Sequence, residues 1–251
     1  MNHAISVLEA CEKKNGKGGD VRNPRRIVLT AEMKAKYKLS EEPPPPDSVF
    51  WKMWDACTRI AQESLATDFI QGIKNGTLDP VKYGAFNVSD AYYCFHGAQD
   101  YLAAESRASD ETLKAFLLSK YNSYQKYNEE WPKTWHVRDV RGVVPIDVCR
   151  EYAEYESTIA SHEDPIYAIP LMLPCEYLWA WLAYELEPPG PGNLYAPWIT
   201  ENDDPTGAYA LGNFLNSYME EHPDAVDEAK ATGIYTQAMT YEQRNFAAAT
   251  Q

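Results

Sequence analysis

The sequence predicts an all-α fold, a bundle of about seven helices in one domain. Three observations carry this reading: apolar residues recur at steps of three and four from Asp47 onward, turn-forming Gly and Pro clusters punctuate that pattern, and no comparable set of alternating strand patterns appears. The 251 residues suit one large domain with a tail, since single cores stop growing near roughly 250–300 residues. The division expected is an N-terminal extension over 1–46 and a helical domain over 47–251.

The extension opens on charged residues. Residues 12–26 mix Gly, Asn, Pro and basic side chains without apolar periodicity, which reads as a solvated, mobile segment unless something docks it. Glu41-Glu42-Pro43-Pro44-Pro45-Pro46-Asp47 follows, and four consecutive prolines remove backbone donors and fix an extended strut. Phe50, Trp54, Cys57, Ala61, Leu65 and Phe69 then form one helical face, which Asn75-Gly76 ends. Asp79-Pro80 starts the second helix with a cap and a first-turn proline, running through Tyr83, Phe86, Asp90 and Tyr93 to about Ala104. Ser109-Asp110-Glu111 opens a third helix through Leu113, Phe116, Leu117 and Tyr121. An irregular, Trp-containing connection is expected from Glu130 to Val144. Four more helical stretches are expected, over 146–162, 165–186, 193–220 and 223–249, parted by breakers such as Glu187-Pro188-Pro189-Gly190-Pro191-Gly192 and His222-Pro223.

Composition narrows function. A formal charge of −14 and a pI near 4.8 oppose binding to a polyanion, because nucleic-acid affinity rests on Lys and Arg neutralising phosphates. No run of 18 or more apolar residues exists, and Met1–Asp20 carries charges where a signal peptide needs an apolar stretch, so a cytoplasmic protein with no membrane partner is expected. Five cysteines, odd in number and without a CxxC pair, fit reduced thiols. The five histidines are scattered, which argues against a metal site. Eighteen Tyr and seven Trp supply material for an aromatic-lined cavity.

Three positions stand out chemically. Asp90 lies inside an amphipathic helix with Tyr93 at i+3; it either pairs with a neighbouring helix or, beside that aromatic, accepts an amino hydrogen bond from a stacked heterocycle. Cys175, in LMLPCEYLWAWL, is either a small core residue or a nucleophile, which requires a thiol pKa below the usual ~8.5 through a base, cation or helix terminus. Glu242 sits in an apolar stripe between Ala238 and Phe246, so it either faces a partner helix or enters a cavity where burial makes it a proton donor.

Together these positions resemble the TenA (thiaminase II) family, over residues from about 50 to the C-terminus. FIQGIKNGTLDPVKYGAFNVSDAYYCF is similar to the family's Gly-Thr-Leu turn followed by a helix with Asp and Tyr three apart. LMLPCEYLWA is similar to its leucine-rich segment ending in Pro-Cys, and Tyr152 precedes Cys175 by the family's interval. NLYAPWI and YEQRNF are similar to its Tyr-x-x-Trp-Ile segment and its C-terminal glutamate segment. The resemblance implies a heme-oxygenase-like helical fold. It implies Cys175 as nucleophile, Glu242 as proton donor and Asp90 as the group that holds the ring, all catalytic. Tyr93, Tyr152 and Phe246 would contact the substrate. Trp179 and Asn202 would do so too, at places where the family commonly has Tyr. No metal or organic cofactor is implied. The activity implied is hydrolysis of thiamine or its aminopyrimidine breakdown products; the alternative is a non-catalytic binding protein that keeps the pocket. A metal-dependent or haem oxygenase on the same fold ranks below both, because only His96 lies near the proposed pocket helix. The resemblance also implies a homo-oligomer, dimer or tetramer, for which Trp51, Trp54 and Trp135 are candidate contacts, with ordinary core packing the alternative for each.

Overall fold

A computed structural model describes residues 26–27, 42–134 and 136–251, the side chain of Trp131 excepted. Among the described residues are ten α-helices, two short 3-10 helices and no strand. The excess over seven has local causes. The first expected stretch is three helices, α1 (Val49–Ala56), α2 (Thr58–Leu65) and α3 (Asp68–Asn75). Its shared apolar face is real, but Thr67 is extended and its hydroxyl caps α3 by accepting from the Ile70 N–H, so the ladder cannot run through. Gly76, at φ 66°, closes α3 in the left-handed conformation that glycine adopts without penalty.

Helix α4 (Pro80–Arg107) begins as its Asp-Pro signal requires, with the Asp79 carboxylate accepting from Val81 N at 2.9 Å. Helix α5 (Glu111–Thr134) runs well past Tyr121 and absorbs the first residues of the connection expected to be irregular. Helices α6 (Asp147–His162) and α7 (Ala168–Leu186) keep close to their expected limits, with a 3-10 turn over Pro165–Tyr167 before α7. The stretch expected over 193–220 is two helices, α8 (Ala196–Glu201) and α9 (Thr206–Glu221), because Asp204 accepts from Thr206 N and Pro205 cannot continue a ladder. Helix α10 (Glu228–Ala248) starts where the Asp227 carboxylate caps Ala229 and Lys230.

Helix α7 is the hub. It packs against α10 and α9 and also touches α4, α6 and α8, while α4 is flanked by α5 and α6. Its span with the preceding turn, Pro165–Leu186, is apolar and long enough to cross a membrane, but 83% of its most apolar window is buried inside the bundle. An all-round apolar helix is what a core position demands. Trp51 and Trp54 are buried at 4% and 0% exposure in an aromatic cluster with Phe50, Tyr177 and Tyr209, which assigns both to core packing within one chain rather than to contacts between copies. Trp135 lies outside the described residues.

Most of the extension also lies outside them. Its described parts are docked. Arg26 pairs with Asp55 at 2.8 Å and sits 4.2 Å from the Trp51 ring centroid, and Ile27 N–H donates to the Tyr177 hydroxyl. The strut is held by Trp51 Nε1 donating to Pro44 O at 2.8 Å and by Asn213 donating to Glu42 O at 2.8 Å. Proline carbonyls remain good acceptors, and that is how a donor-poor segment is fixed.

Candidate active site

Three helices wall a cavity of about 330 Å³, and each contributes residues on one face. From α4 come Asp90, Tyr93 and Cys94; from α5, Ser123, Tyr124 and Tyr127; from α7, Cys175, Glu176 and Trp179. Spacings of three and four residues put each set on one side of its helix. Asn202, at the C-cap of α8, closes the ring. Asp90, Tyr127, Trp179 and Asn202 also border a second space of about 320 Å³, lined further by Tyr83, Asn87, Glu130, Thr134, Trp198 and Glu201. The two lobes thus share four residues and make one bipartite cleft. Neither lobe has a Lys, Arg or His among its described lining residues.

Five of the eight residues singled out from sequence therefore meet at the cavity: Asp90, Cys175, Tyr93, Trp179 and Asn202. The other three stand one layer back. Glu242 is only 2% exposed and accepts from Trp179 Nε1 at 3.1 Å, so the indole separates it from the cavity. Phe246 is buried against Phe69, Phe86 and Trp179, the last at 5.5 Å between centroids, and supports the wall from behind. Tyr152 stacks on Tyr93 at 4.9 Å and on Tyr241 at 5.3 Å. Sequence reasoning did not single out Tyr124, Tyr127, Glu176 or the buried Glu156, whose Oε1 accepts from the Tyr93 hydroxyl at 2.8 Å.

Electrostatics here are set first by burial. Burial pushes Asp90 up to about 7, against a weak thiol contact from Cys94. Glu242 is pushed up to about 8, by burial first, with the Asp90 charge adding and the Trp179 and Tyr152 hydrogen bonds opposing. Burial also raises Glu176, partly offset by Lys120, and carries Glu156 well above the ordinary carboxylate range, with Asp100 adding. Several buried carboxyls therefore hold protons near neutrality.

The same surroundings act on the thiol. Burial, then the Glu176, Glu242 and Glu156 carboxyls, push Cys175 well above its ordinary value, while the Tyr124 hydrogen bond opposes them. The lowered thiol pKa expected of a resting thiolate nucleophile is thus not what this environment produces, since among the described residues the charges that act on the sulfur are those of acids. The thiol donates to Met172 O at 3.0 Å, within its own helix. With that proton engaged, the Tyr124 hydroxyl, 3.3 Å from Sγ, is the donor to sulfur. The four described cysteines, Cys57, Cys94, Cys149 and Cys175, are free thiols. Among the described residues no group of three or more His, Cys, Asp or Glu is arranged to hold a metal ion.

No family model matches the chain, and no curated protein matches it. Solved structures do. A TenA family transcription regulator from Silicibacter sp. TM1040 superposes with a TM-score of 0.72 at 14% identity, covering 82% of this chain and 98% of that one. A TenA homologue from P. horikoshii OT3 gives 0.70 at 16% identity, covering 80% and 98%. A protein proposed as a TenA-like thiaminase from Sulfolobus solfataricus P2 gives 0.61 at 13% identity, covering 79% and 94%. The chain has the fold of the TenA proteins, the helical architecture its sequence segments implied.

Proposed function

We propose that this chain, on its TenA fold, is a hydrolase that cuts thiamine or a related aminopyrimidine through a covalent adduct to Cys175. The observation that carries the reading is the placement of the Cys175 thiol and the Asp90 carboxyl on facing helices of one aromatic-walled cavity. A carboxyl with a pKa of about 7 suits an aminopyrimidine edge, because its neutral form donates to a ring nitrogen while its carbonyl oxygen accepts from the ring amino group. Tyr93, Tyr124 and Trp179 supply aromatic parts of the cavity wall.

The chemistry is nucleophilic addition followed by elimination. The sulfur bonds to an electron-poor ring carbon, and the proton that the thiol loses is balanced by one gained at the ring nitrogen, so the addition creates no net charge in a cleft whose described lining has no Lys, Arg or His. The electron pair of the adduct then expels the leaving group from the attached methylene. Water adds to that carbon, and the thiol is released as the ring regains its aromaticity. Tyr124, donating to sulfur, stabilises the charge that develops as the S–H bond is lost. Asp90 and Glu176 are the acids at the cavity, whereas Glu242 acts from behind by holding the Trp179 indole in place.

The second lobe bears on substrate size. Its Glu130 and Glu201, with the shared Asp90, give a second half of the cleft suited to a positively charged ring. That favours the intact two-ring compound over the pyrimidine fragment alone. The proposal includes a cytoplasmic location and a homo-oligomer, a dimer or tetramer, which light scattering of the purified protein would check.

A second reading, a binding protein without turnover, is favoured by the raised Cys175 thiol. One assay separates the two. Wild type and Cys175→Ser are incubated with thiamine and with an aminopyrimidine, and product release is followed by chromatography near neutral pH. Product formed by wild type and lost in Cys175→Ser supports the hydrolase. Saturable ligand-induced stabilisation with no product from either compound supports the binding protein and rejects the hydrolase.

A further inference from the structure

Resting on the proposed aminopyrimidine reading, we infer that Glu156 is a specificity-determining positioning residue: by taking the Tyr93 hydroxyl proton, it presents Tyr93 to the cavity as an acceptor, which selects ligands bearing a ring amino group there over those bearing a ring carbonyl. Several of the wall's protons are already engaged. Trp179 Nε1 is given to Glu242 at 3.1 Å, the Ser123 hydroxyl to Ser119 O at 3.1 Å, an Asn202 amide N–H to Trp198 O at 2.8 Å and the Cys175 thiol to Met172 O at 3.0 Å. Tyr124 donates to the Cys175 sulfur. Each of these protons has an acceptor within the protein, whereas the Tyr127 hydroxyl and the neutral form of Asp90 lie outside this set.

Tyr93 completes the set. A phenol has one proton and two lone pairs, and this proton is given to Glu156 Oε1 at 2.8 Å, with the Tyr152 hydroxyl a longer contact at 3.5 Å, so what the hydroxyl can offer a ligand is a lone pair. Glu156 itself never touches the cavity. It lies on α6, is fully buried, and its Oε2 has no hydrogen-bond partner among the described residues. A buried carboxyl with an unpartnered oxygen is costly to keep, and an apolar side chain at the core face of α6 would pack at less cost. Stability therefore does not account for it, whereas control of the Tyr93 proton does. A site with buried acceptors discriminates by hydrogen-bond complementarity: an amino group satisfies the lone pairs, and a carbonyl oxygen in the same place opposes them.

The test measures binding by calorimetry for two probes, an aminopyrimidine with one ring amino group and the pyrimidinone in which oxygen replaces that group. Wild type is expected to prefer the amine by at least about tenfold. Glu156→Met frees the Tyr93 proton to turn toward the ligand, and the preference falls by about tenfold. Glu156→Gln keeps an acceptor oxygen for Tyr93, and the preference stays within about twofold of wild type. A merely structural role would weaken both probes alike in Glu156→Met and leave their ratio unchanged; that result overturns the inference. Should Glu156→Met fail to fold, Tyr93→Phe decides instead: the preference drops if the hydroxyl acts as an acceptor, and an unchanged ratio overturns the idea. A wild type that binds both probes equally rejects the role of Glu156 and leaves the aminopyrimidine reading standing, whereas one that binds neither removes both.

Discussion

Replacing Glu242 by Gln removes one titrating group from the interior and leaves the wall almost unchanged in shape. The carboxyl is 2% exposed, and its ordinary value of 4.5 is pushed up to about 8. In the folded protein it holds its proton until about pH 8, whereas the unfolded chain releases it above 4.5. The folded pKa is the higher one, so this group's favourable contribution is fully present below pH 4.5 and is lost as pH rises toward 8. At 1.36 kcal/mol per pH unit the ceiling of that loss is roughly 5 kcal/mol, and relaxation around the ionised form brings the expected figure to about 2–4 kcal/mol. Glutamine never ionises and still offers an oxygen to Trp179 Nε1, so Glu242→Gln escapes the loss. The assay is urea unfolding of both proteins at about pH 5 and about pH 8.5. Similar midpoints are expected at the lower pH, with the variant the more stable at the higher, because the other buried acids titrate in both proteins and cancel. A difference between the two proteins that is the same at both pH values would refute the account of Glu242 as a buried neutral acid.

Three further outcomes follow from the geometry. Alkylation of Cys175 by iodoacetamide should be slow at neutral pH and keep rising beyond about pH 9, whereas a plateau below about pH 8 in its rate, followed by peptide mass analysis, would contradict the acid-crowded thiol. Tyr124→Phe should lower turnover by roughly tenfold or more while thermal stability changes little, since it removes the hydrogen bond to sulfur and keeps the ring; steady-state kinetics would show an unchanged kcat if that hydroxyl is idle. Gly212→Ala should destabilise the fold by about 1–3 kcal/mol, because the new Cβ would meet Phe50 Cδ2 at 2.6 Å and Pro44 Cγ at 2.8 Å; a melting temperature equal to wild type would mean that the proline strut is not packed there.

How much of this was legible depended on where periodicity and capping agreed. Helix α4 was readable at both ends because Asp79-Pro80 is a start signal and the apolar face never lapses, and Asp90 and Tyr93 could be placed on one side of it by spacing alone. The stretch from Phe50 to Phe69 misled because one apolar face was kept across breaks set by backbone hydrogen bonds, which periodicity cannot register. The C-terminal half of α5 was missed for the opposite reason. NSYQKYNEE carries few apolar residues, so the helix that brings Tyr124 and Tyr127 to the cavity gave little amphipathic signal. A signal for Glu156 did exist: Cys149, Tyr152, Ala153, Glu156 and Ala160 share one buried face of α6, and a glutamate in that series should have been flagged with Glu242.

Trp179 ties the wall to the proton chemistry. An indole has a donor and no acceptor, so its bond to Glu242 anchors the ring but cannot pass a proton through it, as a hydroxyl at the same place could. Burial keeps Glu242 a neutral acid and the indole keeps it withdrawn, so the carboxyls left at the surface of the first lobe are Asp90 and Glu176. Asp90, with its pKa of about 7, is divided between its two forms at neutral pH and can both give and take a proton there. On the proposed hydrolase reading, an indole at position 179 therefore does not leave the site without acid and base: that work would fall to the α4 and α7 faces, which carry Asp90, Glu176 and the Cys175 sulfur.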